Sequence, residues 1–223
     1  MRVLVYGATG MVGQGVLREC LRDERITAVV AVGRRATGRQ HPKLREMLTA
    51  DPSSPGEPLV GYDACFFCLG VSSVGMSAAA YRRVTYDLTL AVATPLAKAS
   101  PNLAFVYVSG RGTDGTGQGR KMWARVKGET ENAVLALPFQ GYAMRPGFIQ
   151  PLHGVTSRTG WYRAIYAASR PLYPLARRIP PLAATTTERM GWAMIQLAID
   201  GYPKRVLEAP DINALADAYE AGA

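Results

Sequence analysis

The chain has 223 residues, of which 48% are hydrophobic and 19% are charged. This length and composition exclude wholesale disorder and favour a single domain over residues 1–223. The formal charge is +9, but the 26 Lys and Arg residues are scattered along the chain and no aromatic-basic recognition module accompanies them. We therefore expect no nucleic-acid partner. No apolar run reaches the roughly eighteen residues that a membrane span requires, so no span is expected either.

The three cysteines are too few to form a disulfide framework in a chain of this size. They predict a reducing compartment, and we take the cytoplasm as the expected one. Cys65 and Cys68 form a CxxC pair within a predicted strand, where residues three apart point to opposite faces. No second ligand pair or histidine stands near them, so we expect buried strand cysteines and no metal site.

Strand and helix patterns alternate from the first residue onward, which is typical of a parallel sheet covered on both faces. The predicted strands, in chain order, cover residues 2–6, 26–32, 44–49, 63–69, 103–108, 142–144 and 205–208. The predicted helices follow a glycine-rich loop to about residue 21 and then cover 77–98, 121–136, 187–200 and 211–220. The pattern predicts an α/β fold with a Rossmann-type doubly wound sheet. Prolines punctuate residues 147–190, which we expect to form a less regular C-terminal substrate lobe.

The glycine loop between the first strand and the first helix is the most informative segment. Glycines fall at 7, 10 and 13 within Gly7-Ala8-Thr9-Gly10-Met11-Val12-Gly13. The first allows a tight exit from the strand, the second lets a pyrophosphate approach the backbone, and the third allows close packing of helix on strand. The helix that follows directs its free N–H groups and positive dipole end at the phosphates. The loop therefore predicts a dinucleotide site.

The end of the second strand distinguishes between two nicotinamide cofactors. An acidic residue about twenty positions after the glycine loop would select NAD by bonding the ribose hydroxyl. This chain carries Arg34 and Arg35 there instead. A guanidinium suits a 2′-phosphate, which predicts NADP(H) over NAD(H). A solvated arginine pair on a loop is the alternative.

Four further segments extend the glycine motif into a family resemblance. They are CLG at 68–70, Ser109 after the fifth strand, VKGETE at 126–131 and RPGF at 145–148. Over roughly residues 1–150 the sequence resembles an atypical short-chain dehydrogenase/reductase. Within that superfamily it is most similar to the Tat-interacting-protein-like oxidoreductases and the NAD(P)-binding epimerase-like proteins.

The resemblance implies a catalytic Ser, Tyr and Lys, with the last two in a Tyr-x-x-x-Lys pattern. It places the serine at Ser109 and the lysine at Lys127, but Trp123 stands where the tyrosine should be. An indole N–H donates a hydrogen bond but does not titrate near neutral pH. The usual proton donor is therefore missing. Groups that could replace it in principle are Tyr81, Tyr86, Tyr107, Tyr162, Tyr166 and His153.

The resemblance and the loop together give a set of expected site residues. Expected cofactor contacts are Gly7, Thr9, Gly10, Met11, Val12, Gly13, Arg34, Arg35, Asp51, Leu69, Gly70 and Lys127. Asp51 resembles the family's adenine-side aspartate, although a plain turn aspartate before proline explains it nearly as well. In the reacting half, the expected residues are Ser109, Trp123 and Lys127.

These residues leave three functions open. The leading one is an NADP(H)-dependent oxidoreductase that transfers hydride to or from a small carbonyl or hydroxyl substrate. A non-catalytic NADP(H)-binding redox sensor or scaffold is the alternative, and an epimerase or dehydratase is the third. The substrate is unidentified, and its expected lining is Trp161, Tyr162, Arg163, Ile165, Tyr166 and Arg170. The resemblance also implies a homodimer that pairs helices 77–98 and 121–136, while the residues themselves leave the oligomeric state open.

Overall fold

The computed structural model describes residues 1–57, 59–155 and 184–222. Seven parallel strands form its main sheet in the order β3-β2-β1-β4-β5-β6-β9. They are β1 (Arg2–Tyr6), β2 (Ala28–Gly33), β3 (Leu44–Leu48), β4 (Ala64–Phe67), β5 (Ala104–Val108), β6 (Gln140–Arg145) and β9 (Val206–Glu208). This order confirms the predicted α/β class and the Rossmann-type doubly wound sheet.

Helices cover both faces of this sheet. They are α1 (Met11–Arg22), α2 (Ala78–Arg82), α3 (Leu88–Ala99), α4 (Met122–Leu135), α5 (Thr187–Asp200) and α6 (Ala209–Ala221). Side chains of α1, α5 and α6 form one core with one face of the sheet, and those of α3 and α4 form a second core with the other face. Strand β1 contributes to both cores, because Val3 and Val5 point into the first while Leu4 and Tyr6 point into the second. Burial on both faces explains why these strands are apolar without a break.

The strand order places a crevice at the carboxyl ends of β1 and β4. The chain proceeds from β1 outward to β2 and β3, and then crosses back to place β4 on the other side of β1. In an open parallel sheet, ligands bind where the order reverses in this way. The glycine loop after β1 lies at this point, so the fold brings the predicted dinucleotide loop to the edge where a ligand is expected.

Three local features differ from the sequence-based expectation. The predicted helix over 77–98 is interrupted by a π-helical segment at Arg83–Asp87, between α2 and α3. The strand predicted over 63–69 covers only Ala64–Phe67, so Cys68 lies just beyond it. A second sheet pairs two short strands that the sequence did not predict, β7 (Ile149–Gln150) and β8 (Thr185–Thr186). The described ends of the predicted lobe, residues 147–155 and 184–190, therefore contain regular secondary structure.

No helix in the described part of the chain is both long enough and apolar enough to cross a bilayer. Within the same residues, no three His, Cys, Asp or Glu side chains cluster as metal ligands would. Cys65 is buried in the core, and burial raises the pKa of the Cys68 thiol to about 12. A thiol with such a raised pKa is a poor nucleophile at neutral pH.

Candidate functional site

The glycine loop is built so tightly that side chains are excluded at two of its positions. Gly7 has φ +77°, and a Cβ on it would lie 2.7 Å from the carbonyl carbon of Cys68. A Cβ on Gly13 would overlap the carbonyl oxygen of Gly7. Gly10 is different, because its Cβ would meet only that same oxygen, at 3.3 Å. Gly7 and Gly13 therefore pack strand, loop and helix together, while Gly10 leaves its outer side open.

Helix α1 begins at this loop with its N-terminal N–H groups available. Its N-cap is Gly10, no side chain caps it, and its first turn carries no acidic residue. Thr9 accepts a hydrogen bond from Gln14 through its carbonyl oxygen, which holds the loop against the helix. Met11 and Val12 occupy the first turn and pack against the core. An uncapped helix start without a carboxylate is suited to an anionic phosphate group.

A cavity of about 460 Å³ opens in front of the glycine loop. It is lined by the loop, by the ends of β2 and β4, by the segment after β3 and by the π-helical segment. Its lining residues are Gly7, Ala8, Thr9, Gly10, Ala31, Val32, Gly33, Arg34, Arg35, Thr37, Ala50, Pro52, Cys68, Leu69, Gly70, Val71, Val84 and Leu88. The lining combines apolar side chains, which suit a base, with an open helix start, which suits phosphates. Most of the residues expected at the adenosine and diphosphate half therefore lie around one cavity.

Arg34 and Arg35 stand at the end of this cavity that lies beside β2. Both are exposed, and among the described residues neither guanidinium has a hydrogen-bond or salt-bridge partner. Most of the other described arginines form a hydrogen bond or an ion pair; Arg145, for example, pairs with Glu131. Two unpartnered guanidiniums at a cavity rim provide donors for an anion on the ligand.

Asp51 lies beside the cavity, but its carboxylate is used locally. It accepts hydrogen bonds from the Ser53 backbone N–H at 2.9 Å and from the Ser53 hydroxyl at 2.7 Å. The residues on either side, Ala50 and Pro52, line the cavity while Asp51 itself does not. This geometry is that of an Asx turn, which shapes the cavity wall through the backbone.

The reacting half of the predicted site lies at the carboxyl end of β5. Ser109 is buried there, and its Oγ lies 3.0 Å from Thr113 Oγ1. Thr113 Oγ1 also lies 2.7 Å from the carbonyl oxygen of Gly110, to which it must donate. Because a hydroxyl has one proton, Ser109 must then donate its own proton to Thr113. Thr113 was not among the expected site residues; its only sequence signal is its place four residues after Ser109.

Lys127 lies near the end of β5 and is half-buried, and within the described residues no carboxylate forms an ion pair with it. Its Nζ donates to the carbonyl oxygen of Val108 at 3.4 Å and sits 5.3 Å from the centre of the Tyr107 ring. Burial lowers the pKa of Lys127 to about 8, against the opposing influence of Glu131. Loss of hydration disfavours the charged ammonium, which explains the direction of the shift.

Trp123 occupies the same helix face as Lys127, one turn nearer the start of α4. Its ring lies beside the loop after β5, because a Cβ on Gly112 would come within 3.7 Å of it. The fold thus brings Ser109, Trp123 and Lys127 to one end of β5. None of the three lines the nucleotide cavity described above.

Four of the six candidate replacement proton donors lie among the described residues. Burial raises the pKa values of Tyr81 and Tyr107. The Tyr86 ring is covered by the guanidinium of Arg82 at 3.9 Å. His153 pairs with Glu188 at 2.7 Å. Tyr162 and Tyr166 lie outside the described residues, as do the other expected substrate-lining residues Trp161, Arg163, Ile165 and Arg170.

A buried ion pair holds α4 in place one helical turn after Lys127. The carboxylate of Glu131 is almost fully buried and accepts hydrogen bonds from Arg145 at 3.0 and 2.5 Å. Arg145 also reaches Glu208 on β9. The pair ties α4 to the last strands of the sheet and thereby positions the helix that carries Lys127.

We expect Arg145→Ala to lower the free energy of unfolding by roughly 3 to 5 kcal/mol, because it leaves the buried Glu131 carboxylate without a partner. Urea denaturation followed by circular dichroism measures the change. Arg82→Ala is the matched control, since the Arg82–Glu129 pair is exposed and its loss costs only about 1 kcal/mol or less. Equal effects of the two variants would contradict this account of Glu131.

The helices expected at a dimer interface, α2 with α3 and α4, lie side by side on one face of the sheet. They are joined within the chain by Arg82 and Glu129. The homodimer implied by the resemblance stays a prediction.

Comparison with known proteins identifies relatives of modest similarity, and no family model matches the chain. Protein FMP52 of Chaetomium globosum, which is named mitochondrial, is 29% identical over 152 residues, or 66% of this chain. Protein HTATIP2 of Rattus norvegicus is 30% identical over 155 residues, again 66% of this chain. The matches span 65% and 62% of those relatives' own lengths, slightly less than two thirds of each.

A solved structure from another protein has a similar fold. The Bordetella bronchiseptica enzyme WbmF, in its complex with NAD+, superposes with a TM-score of 0.68 at 17% sequence identity. The match covers 99% of this chain and 77% of that one. The glycine loop, the strand order and these relatives agree with the resemblance to atypical short-chain dehydrogenase/reductases, and the chain is similar to HTATIP2 and FMP52 over about two thirds of its length.

Proposed function

We propose that this protein binds NADP(H) and transfers hydride between the nicotinamide and a small carbonyl or hydroxyl substrate. One observation carries the proposal: a cavity of about 460 Å³ joins the open glycine turn to two unpartnered guanidiniums, Arg34 and Arg35. A dinucleotide with an extra phosphate on its adenosine ribose would satisfy both ends of that cavity. WbmF, whose fold is similar, is in complex with NAD+, which supports a nicotinamide dinucleotide as the class of ligand.

The glycines and arginines assign the two halves of the cofactor. Gly10 and the N–H groups at the start of α1 would hold the diphosphate, and Arg34 with Arg35 would hold the 2′-phosphate. Leu69 and Gly70 would lie along the adenosine and diphosphate wall, and the Asp51 turn would close the adenine side. Lys127 would bond the nicotinamide ribose, since Val108 O engages only one of its three donors. When bound, the cofactor supplies or accepts the hydride.

The second candidate function is a non-catalytic NADP(H)-binding sensor or scaffold. Trp123 favours it, because an indole at this position cannot supply the proton that carbonyl reduction needs. Turnover separates the two functions. A protein that binds NADPH but leaves every carbonyl substrate unchanged would be a sensor.

Calorimetry with NADPH and NADH tests the cofactor assignment. We expect NADPH to bind in the micromolar range and to raise the thermal midpoint by mass action, with a weaker effect of NADH. Arg34→Ala should lower the NADPH affinity by about 10- to 100-fold and leave the NADH affinity unchanged, because it removes a charge-assisted bond worth roughly 1.5–3 kcal/mol. Arg39→Ala, on the same loop but outside the cavity lining, is the control. Equal stabilisation by the two nucleotides would contradict the assignment of Arg34.

The remaining assignments concern the compartment and partners. The three free cysteines support a reducing compartment, and we keep the cytoplasm as the proposal although the FMP52 relatives are named mitochondrial. A small-molecule substrate and a second copy of the chain are the proposed partners. Cell fractionation with a tagged chain and sedimentation of the purified protein test these two assignments.

A further inference from the structure

Among the described residues, few groups in the reacting half of the site are able to transfer a proton. Trp123 is a donor that does not titrate. Ser109 gives its only proton to Thr113, whose own proton goes to the carbonyl of Gly110. A ligand that reached Ser109 would therefore meet a hydrogen-bond acceptor. Among the described residues at this end of β5, only Lys127 can both release and take up a proton near neutral pH.

The surroundings of Lys127 suit this task. Its one hydrogen bond within the described part of the chain, to the carbonyl of Val108, is long at 3.4 Å and occupies a single N–H. Four residues further along α4, Glu131 is bound on both oxygens by Arg145 and makes no ion pair with the amine. The face of Tyr107 and the nearby Tyr81 complete the titratable surroundings. An ammonium held in this way, without a counter-ion, is easily deprotonated.

We propose that Lys127 is the general acid and base of this site and thus performs the proton transfer for which related enzymes use a tyrosine. The inference rests on the proposed oxidoreductase function. In the reducing direction, the substrate carbon gains hydride, its C=O π bond breaks, and the oxygen takes a proton from the Lys127 ammonium, which becomes a neutral amine. In the oxidising direction, the neutral amine accepts the hydroxyl proton as the carbon loses hydride.

The predicted pH dependence follows from the direction of each step. Reduction requires the ammonium, so its rate should fall as the pH rises through the pKa of Lys127, about 8. Oxidation requires the neutral amine, so its rate should rise over the same interval. NADPH oxidation with a panel of small aldehydes, ketones and quinones, and NADP+ reduction with the corresponding alcohols, measure the two profiles.

Substitution separates charge from proton transfer. Lys127→Arg keeps the positive charge and the donors but does not deprotonate, so NADPH affinity should stay within about fivefold while turnover falls about a hundredfold or more. Lys127→Met should lose both the NADPH affinity and the turnover. Lys98→Arg, an exposed residue near the end of α3, should retain both.

Trace labelling with acetic anhydride provides a readout that does not depend on turnover. Peptide mass spectrometry from pH 6 to 11, with Lys98 as the internal reference, should place half-maximal reactivity of Lys127 near pH 8, with protection by NADP+. A lysine that stays protonated up to pH 10, or a Lys127→Arg variant with the original turnover and pH profile, would overturn this inference alone. Absence of turnover by the unaltered protein across the whole panel would overturn the proposed function and this inference together.

Discussion

Gly10→Ala should abolish most cofactor binding while leaving the fold intact, and Gly13→Ala should damage the fold itself. A Cβ on Gly10 would meet only the Gly7 carbonyl, at 3.3 Å, and its backbone lies in an extended region open to any residue. It would, however, occupy the space that a diphosphate needs. We expect NADPH affinity to fall about a hundredfold or more, as when two charge-assisted bonds are lost, with a change in unfolding free energy of only about 1 kcal/mol.

Gly13→Ala provides the matched contrast within the same turn. Its Cβ would overlap the carbonyl oxygen of Gly7, so the helix must move away from the strand. We expect the free energy of unfolding to fall by about 3 kcal/mol, whether or not nucleotide is present. Urea denaturation and NADPH calorimetry on both variants measure the two effects. A Gly10→Ala protein that binds NADPH as tightly as the unaltered chain would contradict the diphosphate site.

The sequence predicted the layers of the fold well because their signals are local. Strands such as β1 and β4 are buried on both faces, so their residues read as unbroken apolar runs. The turn after β1 was equally predictable, since only glycine tolerates the positive φ of Gly7 and the close approach at Gly13. Nearly all helix and strand positions followed from these patterns.

Features that depend on distant residues were not predictable in the same way. The strands β7 and β8 have two residues each, too few to show a period. The π-helical segment at Arg83–Asp87 has no residue signature, yet it contributes Val84 to the cavity wall. These features arise from packing between elements far apart in the chain.

The same distinction applies to the candidate site, where some residues could be predicted from the sequence and some contacts could not. The glycines and Arg34 were predicted from their spacing and position after strands, and Lys127 from the family resemblance. The bond from Ser109 to Thr113 depends on the path of the loop after β5, and the pairing of Glu131 with Arg145 depends on how α4 sits on β6. The family resemblance named the expected residues of the reacting half, and their contacts support the proposal about which of them transfers a proton.

Trp123→Tyr should raise carbonyl turnover, because it restores a phenol one helical turn before Lys127. An ammonium beside a phenol favours the phenolate, and a placed general acid contributes about 10²- to 10⁴-fold to such reactions. We expect NADPH oxidation with the carbonyl panel to increase about a hundredfold. Because Lys127 would then assist the tyrosine and no longer transfer the proton itself, the pH profile should move away from that of the unaltered protein.

Trp123→Phe separates the hydroxyl from the change in ring size, since it removes the indole without adding a group that titrates. It should bind NADPH and show no gain in turnover. Equal rates for the tyrosine and phenylalanine variants would mean that this helix face does not point at the reacting carbon, which would contradict the placement of the reacting half. Turnover in the tyrosine variant alone would mean that the natural protein holds NADPH without using it, because only the proton donor separates it from an active enzyme.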